Sequence, residues 1–182
     1  MSPVRTAPGP VDAESLRACM RLFPTGVALL TAGRGDQAMG MSVNSVISVS
    51  LDPPLVLVSV HHSARINRRL HDEPAFALSF LAAEQTDLTT AFAAADRPVG
   101  DAAVRRLGAV LRPGGIPIAA ESLGAVECEL RGLLKVEDHN LLIGRVVALG
   151  RNPLHPLPQV CYGGSYTTVR TPSGHARRGA RP

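Results

Sequence analysis

Residues 40–55 run Gly-Met-Ser-Val-Asn-Ser-Val-Ile-Ser-Val-Ser-Leu-Asp-Pro-Pro-Leu, an alternating stretch that halts at a double proline. Alternation at a period of two commits it to extended backbone, because successive strand side chains point to opposite faces, and proline cannot continue a ladder through a strand interior. In this register Val46, Ser48 and Ser50 share one face and Ile47, Val49 and Leu51 the other. Small polar side chains let a planar ring approach the backbone closely, and Asn44 both donates and accepts hydrogen bonds. A Ser-rich edge strand before a turn has the same spacing, and spacing alone does not separate the two.

The flanking sequence extends the same architecture. Strands are predicted over 26–32, 38–43, 46–50, 55–60, 75–81, 126–135 and 141–149. Gly33-Arg34-Gly35-Asp36 forms a hairpin turn between the first two. In 126–135, Val126, Cys128, Leu130 and Leu134 alternate with Glu127, Glu129, Arg131 and Lys135. Asp12 is placed to cap a helix carrying Leu16, Cys19, Met20 and Phe23 on one face, ended by Pro24. Ser63 is placed to cap a second helix with Ile66 and Leu70 inward, and 84–94 forms a third through Leu88 and Phe92. Residues 96–120, with four Gly and three Pro, read as a long irregular loop bordering a site. Many strands with hairpin-like links and few short helices give a mainly β, antiparallel barrel rather than a βαβ sheet.

Length and composition narrow the function. The 182 residues suit one domain, expected over 12–170 between a tail at 1–11 and a basic tail at 171–182. Of the net charge of +4, Arg177, Arg178 and Arg181 contribute three, so the body is nearly neutral. Trp is absent and Tyr162 and Tyr166 are the only tyrosines, which argues against a nucleic-acid surface. No apolar run approaches a membrane span, and Met1–Arg5 shows no apolar signal region, so a cytoplasmic protein is expected. Cys19, Cys128 and Cys161 are odd in number and lack CxxC spacing, so reduced thiols and no metal are expected, with Cys19 and Cys128 as core residues. Dinucleotide GxGxxG, P-loop and GxSxG motifs are absent.

Residues 40–60 (GMSVNSVISVSLDPPLVLVSV) resemble the signature stretch of the short flavin reductase family, the FMN-binding split-barrel proteins that serve two-component flavin-dependent monooxygenases. Phe23-Pro24-Thr25-Gly26-Val27 precedes it as in that family. Ser63-Ala64-Arg65, Asp138-His139 through Gly144-Arg145-Val146, and Tyr162-Gly163-Gly164-Ser165-Tyr166 follow in the family's order, so the likeness spans roughly residues 14 to 169. It implies a Greek-key split barrel, a homodimer with the flavin cleft near the subunit interface, and hydride transfer from NADH or NADPH to FAD or FMN. Reduced flavin would pass to a partner monooxygenase, in keeping with a biosynthetic pathway. Two other readings stand beside it: an FMN-holding oxidase of the pyridoxamine-phosphate oxidase-like type, and a non-catalytic flavin-binding module.

Such chemistry needs a phosphate site, a polar edge for the ring and an open face for hydride. For the phosphate, Ser63-Ala64-Arg65 at a predicted helix start offers free N–H groups, a hydroxyl and a guanidinium. An ordinary cap beside a solvated arginine has the same sequence. For the ring and ribityl chain, the resemblance implies Ser42, Val43, Asn44, Ser45, Ser48, Val49 and Ser50. The family often has a bulky aromatic where this chain has Val46. For the open face, His139 is the catalytic candidate, expected to hydrogen-bond the nicotinamide carboxamide or a phosphate in its neutral form. Thr25 and Tyr166 resemble positions lining the same cleft. His61 and His62 have no comparable context and make a poor metal site alone.

Overall fold

The computed structural model describes residues 4, 6, 9–109, 115–154 and 156–169. Its elements in chain order are α1 (Ala13–Met20), β1 (Thr25–Gly26), β2 (Ala28–Ala32), β3 (Met39–Val43), β4 (Val46–Leu51), β5 (Pro54–His61), α2 (Ile66–Asp72), β6 (Ala75–Phe80), α3 (Thr86–Ala93), α4 (Gly100–Leu107), β7 (Gly124–Val136), β8 (His139–Arg151), β9 (Gln159–Tyr162) and β10 (Ser165–Thr168). Seven strands form one sheet in the order β3-β2-β6-β7-β8-β5-β4, and β1-β9-β10 form a small second sheet. Every pairing is antiparallel.

Closure follows from chain length. β3 and β4 are the two edges of the large sheet, yet only Asn44 and Ser45 separate them in sequence, so the sheet curls until its edges meet. One apolar cluster fills the interior with residues from all seven strands, among them Leu30, Met41, Val46, Val58, Phe76, Cys128 and Leu142. No ladder joins β3 to β4, so the barrel is split. The Ser45 hydroxyl bridges near that gap: it donates to the Ser59 carbonyl at 2.8 Å and accepts the Ser59 N–H at 3.2 Å. Ile66 and Leu70 of α2 complete the interior cluster. α3 and α4 cover the outside of β2 through Leu29, Leu88, Phe92, Ala103 and Leu107.

The expected strands are all present, but three bulges, at Val49, Arg131 and Val147, change which side chains share a face. Ser48 pairs Val56 and Ser50 pairs Leu55, so Val49 is an extra residue in β4. Ser48 therefore lies on the Val56 side and Ser50 on the opposite side, and the expected row Val46-Ser48-Ser50 is broken. Arg131 is extra in the same way between Leu130↔Gly144 and Gly132↔Ile143. Leu134 consequently turns outward and is 55% exposed, against the inward position that simple alternation assigns it.

The helical segments also depart from expectation. Asp12 caps α1, accepting the Ser15 N–H at 2.7 Å, but the helix stops at Met20, short of Pro24, and buries no residue. Cys19 is exposed rather than core, because no other element closes over α1, whereas Cys128 is buried as expected. The 96–120 stretch holds α4, whose Ala103 and Leu107 are buried and whose left-handed Gly108 ends it. Residues 110–114 of that stretch, with Pro113 and Gly114, lie outside the described residues, as do His155 and the tail from 170 onward.

Candidate active site

A cleft of about 750 Å³ opens where the barrel edges meet the small sheet. Thr25 and Gly26 of β1, the Asn44-Ser45 link and Val46 of β4 line it, with Phe23 from the segment after α1. The volume is in the range of small-molecule sites. Gln159 forms part of its wall and is fixed from α3: its Nε2 donates to the Thr86 hydroxyl at 2.9 Å, and its Oε1 accepts from the Thr89 hydroxyl. The Thr25 hydroxyl oxygen is buried with no hydrogen-bond partner among the described residues. A buried hydroxyl left unpaired costs free energy unless a ligand satisfies it. Thr25, Cys161 and Tyr166 sit opposite one another across the small sheet and so share one of its faces. Burial, then the Cys161 side chain, pushes the Tyr166 phenol upward, so it remains an O–H donor at neutral pH.

The serine-rich segment divides by what its side chains already do. The Ser42 hydroxyl donates to the Thr89 carbonyl at 2.7 Å, anchoring α3 on β3. Ser45 is engaged with Ser59, and the Val43 side chain lies in the barrel interior. These three offer a ligand chiefly their backbone. Asn44 and Ser48 are exposed, and no internal hydrogen bond occupies either side chain among the described residues. Val49 and Ser50 lie further along β4: Ser50 is four residues from Val46, about 13 Å at strand rise.

Ser63, Ala64 and Arg65 do not form the expected helix start. α2 begins at Ile66 with Arg65 as its N-cap, and no side chain caps it. The Ser63 hydroxyl instead meets His61 Nδ1 at 2.7 Å, because a turn closed by the Ala64 N–H on the His61 carbonyl carries the chain past. Arg65 does reach a second cation. It lines a narrow crevice along β3 with Ala64, Met41 and Arg97. Burial, then the Arg65 charge, pushes the Arg97 guanidinium below its usual range. No carboxylate pairs with either among the described residues. Two guanidiniums facing one crevice without an acid favour an anion, and Arg97, 32 residues from Arg65 in sequence, was invisible to local pattern reading.

His139 sits at the start of β8, opposite His61 at the end of β5. Its Nδ1 lies 2.7 Å from Asp138 Oδ1, and the hydrogen bond from His139 holds the Asp138 carboxyl below the usual carboxylate range. The His62 backbone N–H and ring Nδ1 both point at the Asp138 carbonyl, each at 2.9 Å. The His61 ring stands edge-on to His139 with centroids 5.4 Å apart. Sequence reading set His61 and His62 aside because the fold, not the local sequence, brings them to His139. Among the described residues no group of side chains has metal-holding geometry.

Eight of the predicted residues fall into three groups: Thr25, Asn44, Ser45 and Tyr166 about the large cleft, Ala64 and Arg65 on the cationic crevice, and Ser63 with His139 in the histidine cluster; Ser42, Val43, Ser48, Val49 and Ser50 stand outside them. Ser59, held to Ser45, is only two residues from His61 on β5, about 7 Å.

Comparison with known proteins identifies the family. The family model for the flavin reductase like domain matches residues 20–170. The chain is 39% identical over 167 residues to the NADH-dependent FMN reductase AsuE2 of Streptomyces nodosus subsp. asukaensis, covering 92% of this chain and 89% of that protein. Among solved structures, the NADH:FAD oxidoreductase SgcE6 of Streptomyces globisporus superposes with a TM-score of 0.82 at 34% identity, covering 93% of this chain and all of the other. BorF, the flavin reductase component of a bacterial two-component tryptophan halogenase, superposes with a TM-score of 0.81 at 33% identity, covering 88% and 99%. Split barrel, cleft and family match together place this chain in the flavin reductase-like domain family.

Proposed function

We propose that this protein is an NADH:flavin oxidoreductase that reduces FAD or FMN and supplies the reduced flavin to a partner flavin-dependent monooxygenase; relatives are named NADH-dependent FMN reductase, NADH:FAD oxidoreductase and styrene monooxygenase flavin reductase. The observation that carries it is the unpartnered Thr25 hydroxyl in the wall of the cleft beside Asn44-Ser45. A flavin fits these residues: its ring edge supplies acceptors for Thr25, Asn44 and Tyr166, and its phosphate suits Arg65 and Arg97. When both nucleotides are bound, the nicotinamide C4 hydride passes to flavin N5. The chain's own contribution is orientation and water exclusion, with no covalent bond to a side chain. His139 and Tyr166 supply hydrogen bonds around the nicotinamide face.

The outer face of β4, β5, β8 and β7 points to a second copy of the chain. Ile47, Leu57, Ile143, Leu141, Leu134 and Val136 all stand on it, where a solvated antiparallel face would carry polar residues. Ile47 is 56% exposed. α3 and α4 cover β2 on the other side of the barrel. His139 lies at the margin of this face, opposite Val136. A homodimer buries it and brings the site to the subunit boundary.

The test is NADH oxidation followed by absorbance, with and without added FAD or FMN. Turnover that depends on free flavin is expected; flavin binding without turnover would overturn the reductase.

A further inference from the structure

The two arginines of α1 have no part in the site described so far. Arg17 stands in the last turn of the helix and Arg21 caps its end. Residues four apart meet on one helix face with Cβ atoms about 5–6 Å apart, so the two guanidiniums are neighbours. Both line a recess of about 200 Å³ that has no carboxylate in its walls. No carboxylate pairs with either arginine elsewhere among the described residues. The negative end of the helix, which would offset the two charges, is already engaged. The Arg21 N–H donates to the Arg17 carbonyl, the Leu22 N–H to that of Cys19 and the Phe23 N–H to that of Met20, each at 3.0 Å.

A glycine turn closes the other side. Gly163 and Gly164 join β9 to β10 with φ of 62° and 82°, the left-handed backbone that glycine adopts without strain. The Gly163 N–H donates to the Arg21 carbonyl at 2.9 Å and ties the turn to the end of α1. A Cβ at Gly164 would stand 3.8 Å from Arg21 Nε, so bare backbone rather than a side chain faces that guanidinium. The recess is also an annexe of the large cleft, since Met20, Phe23 and Asn44 line both. The crevice of Arg65 and Arg97 shares no lining residue with either.

A ring seated in the cleft thus has a second cationic station beside it, apart from the one assigned to the flavin phosphate. Two adjacent guanidinium forks suit two adjacent phosphates. We infer that Arg17 and Arg21 form a diphosphate subsite, which takes the pyrophosphate bridge of a dinucleotide whose redox-active ring stands in the cleft. This rests on the reductase reading above, and NADH and FAD both carry such a bridge. The subsite makes the protein prefer a dinucleotide to a mononucleotide of the same ring.

The experiment compares the full-length protein with Arg17→Ala, Arg21→Ala and Arg21→Lys; α1 buries no residue, so the core is untouched. One arm sets NADH against reduced nicotinamide mononucleotide, which has the same ring but a single phosphate, at saturating FMN. The other sets FAD against FMN at saturating reductant. Each Ala variant should reduce the dinucleotide's advantage in kcat/KM by about tenfold, the worth of one charge-assisted hydrogen bond. A loss in the first arm assigns the bridge to NADH, and a loss in the second assigns it to FAD. Arg21→Lys should keep part of the advantage, because the charge stays while the planar fork is lost. Inorganic pyrophosphate titrated into the protein in a calorimeter should bind, and bind more weakly by a similar factor in the Ala variants, with no turnover needed. Unchanged ratios in both arms, or pyrophosphate binding indifferent to both arginines, would overturn the subsite and leave the reductase standing. An unaltered protein that oxidises neither reductant, yet binds pyrophosphate through Arg17 and Arg21, would overturn the reductase reading instead.

Discussion

Three residues show how burial and neighbours set chemistry that residue type alone does not. Cys19 and Cys128 both lie in apolar sequence, yet one is exposed and the other buried in the barrel. Burial, then the neighbouring Glu127 charge, pushes the Cys128 thiol up to about 12, so it holds its proton and stays out of reach of an alkylating reagent, whereas Cys19 is exposed to it. Mass spectrometry after brief iodoacetamide treatment at pH 8 should find Cys19 alkylated and Cys128 untouched until the protein unfolds. Arg97 supplies the second case. If its guanidinium and that of Arg65 bind the flavin phosphate, Arg97→Ala should raise KM for FMN about tenfold or more and leave KM for riboflavin unchanged. An equal effect on both flavins would assign Arg97 a structural role.

At the level of elements, the sheet was readable where periodicity holds and unreadable where a single inserted residue resets it. The run 46–50 mixes small polar and β-branched residues and 55–60 is a short, almost wholly apolar run ended by His61-His62, and β4 and β5 fall there. Val49 and Arg131 carry no sequence mark as bulges, because a bulge depends on what the partner strand presents. α4 did leave signs: Val104 and Leu107 at helical spacing, Arg105 and Arg106 in the last turn, and Gly108 after it. The surrounding glycines and prolines outweighed them. Of the site, Asn44 and Thr25 were legible from the signature segment and its upstream neighbour. Arg97 and His61 were not, since their places in it depend on residues 32 and 78 positions away. Gly144 shows how tightly β8 is packed: a Cβ there would lie 2.4 Å from the Phe76 ring and 2.9 Å from the Cys128 Cβ. Gly144→Ala should cost about 1–3 kcal/mol, lowering Tm by several degrees in a thermal melt.

On the scale of the whole molecule, the distribution of covering helices leaves one apolar sheet face bare. Outward Leu134 and Ile47 belong to different strands yet to one continuous apolar face. Replacing both by Glu should convert a dimer to a monomer in light scattering, with reductase turnover falling in parallel. A double variant that remains dimeric would move the interface elsewhere. The same molecule-wide view gives the Asn44-Ser45 link a second meaning. Every other neighbouring pair of barrel strands is zipped by a ladder, whereas the β3–β4 seam is crossed only by this short covalent link, beside the Ser45–Ser59 hydrogen bonds. Ligand that lodged against the link would therefore be seated on the least braced part of the wall. A carrier of diffusible cargo gains from such a hinge: stiffening the seam would turn a courier into a vault.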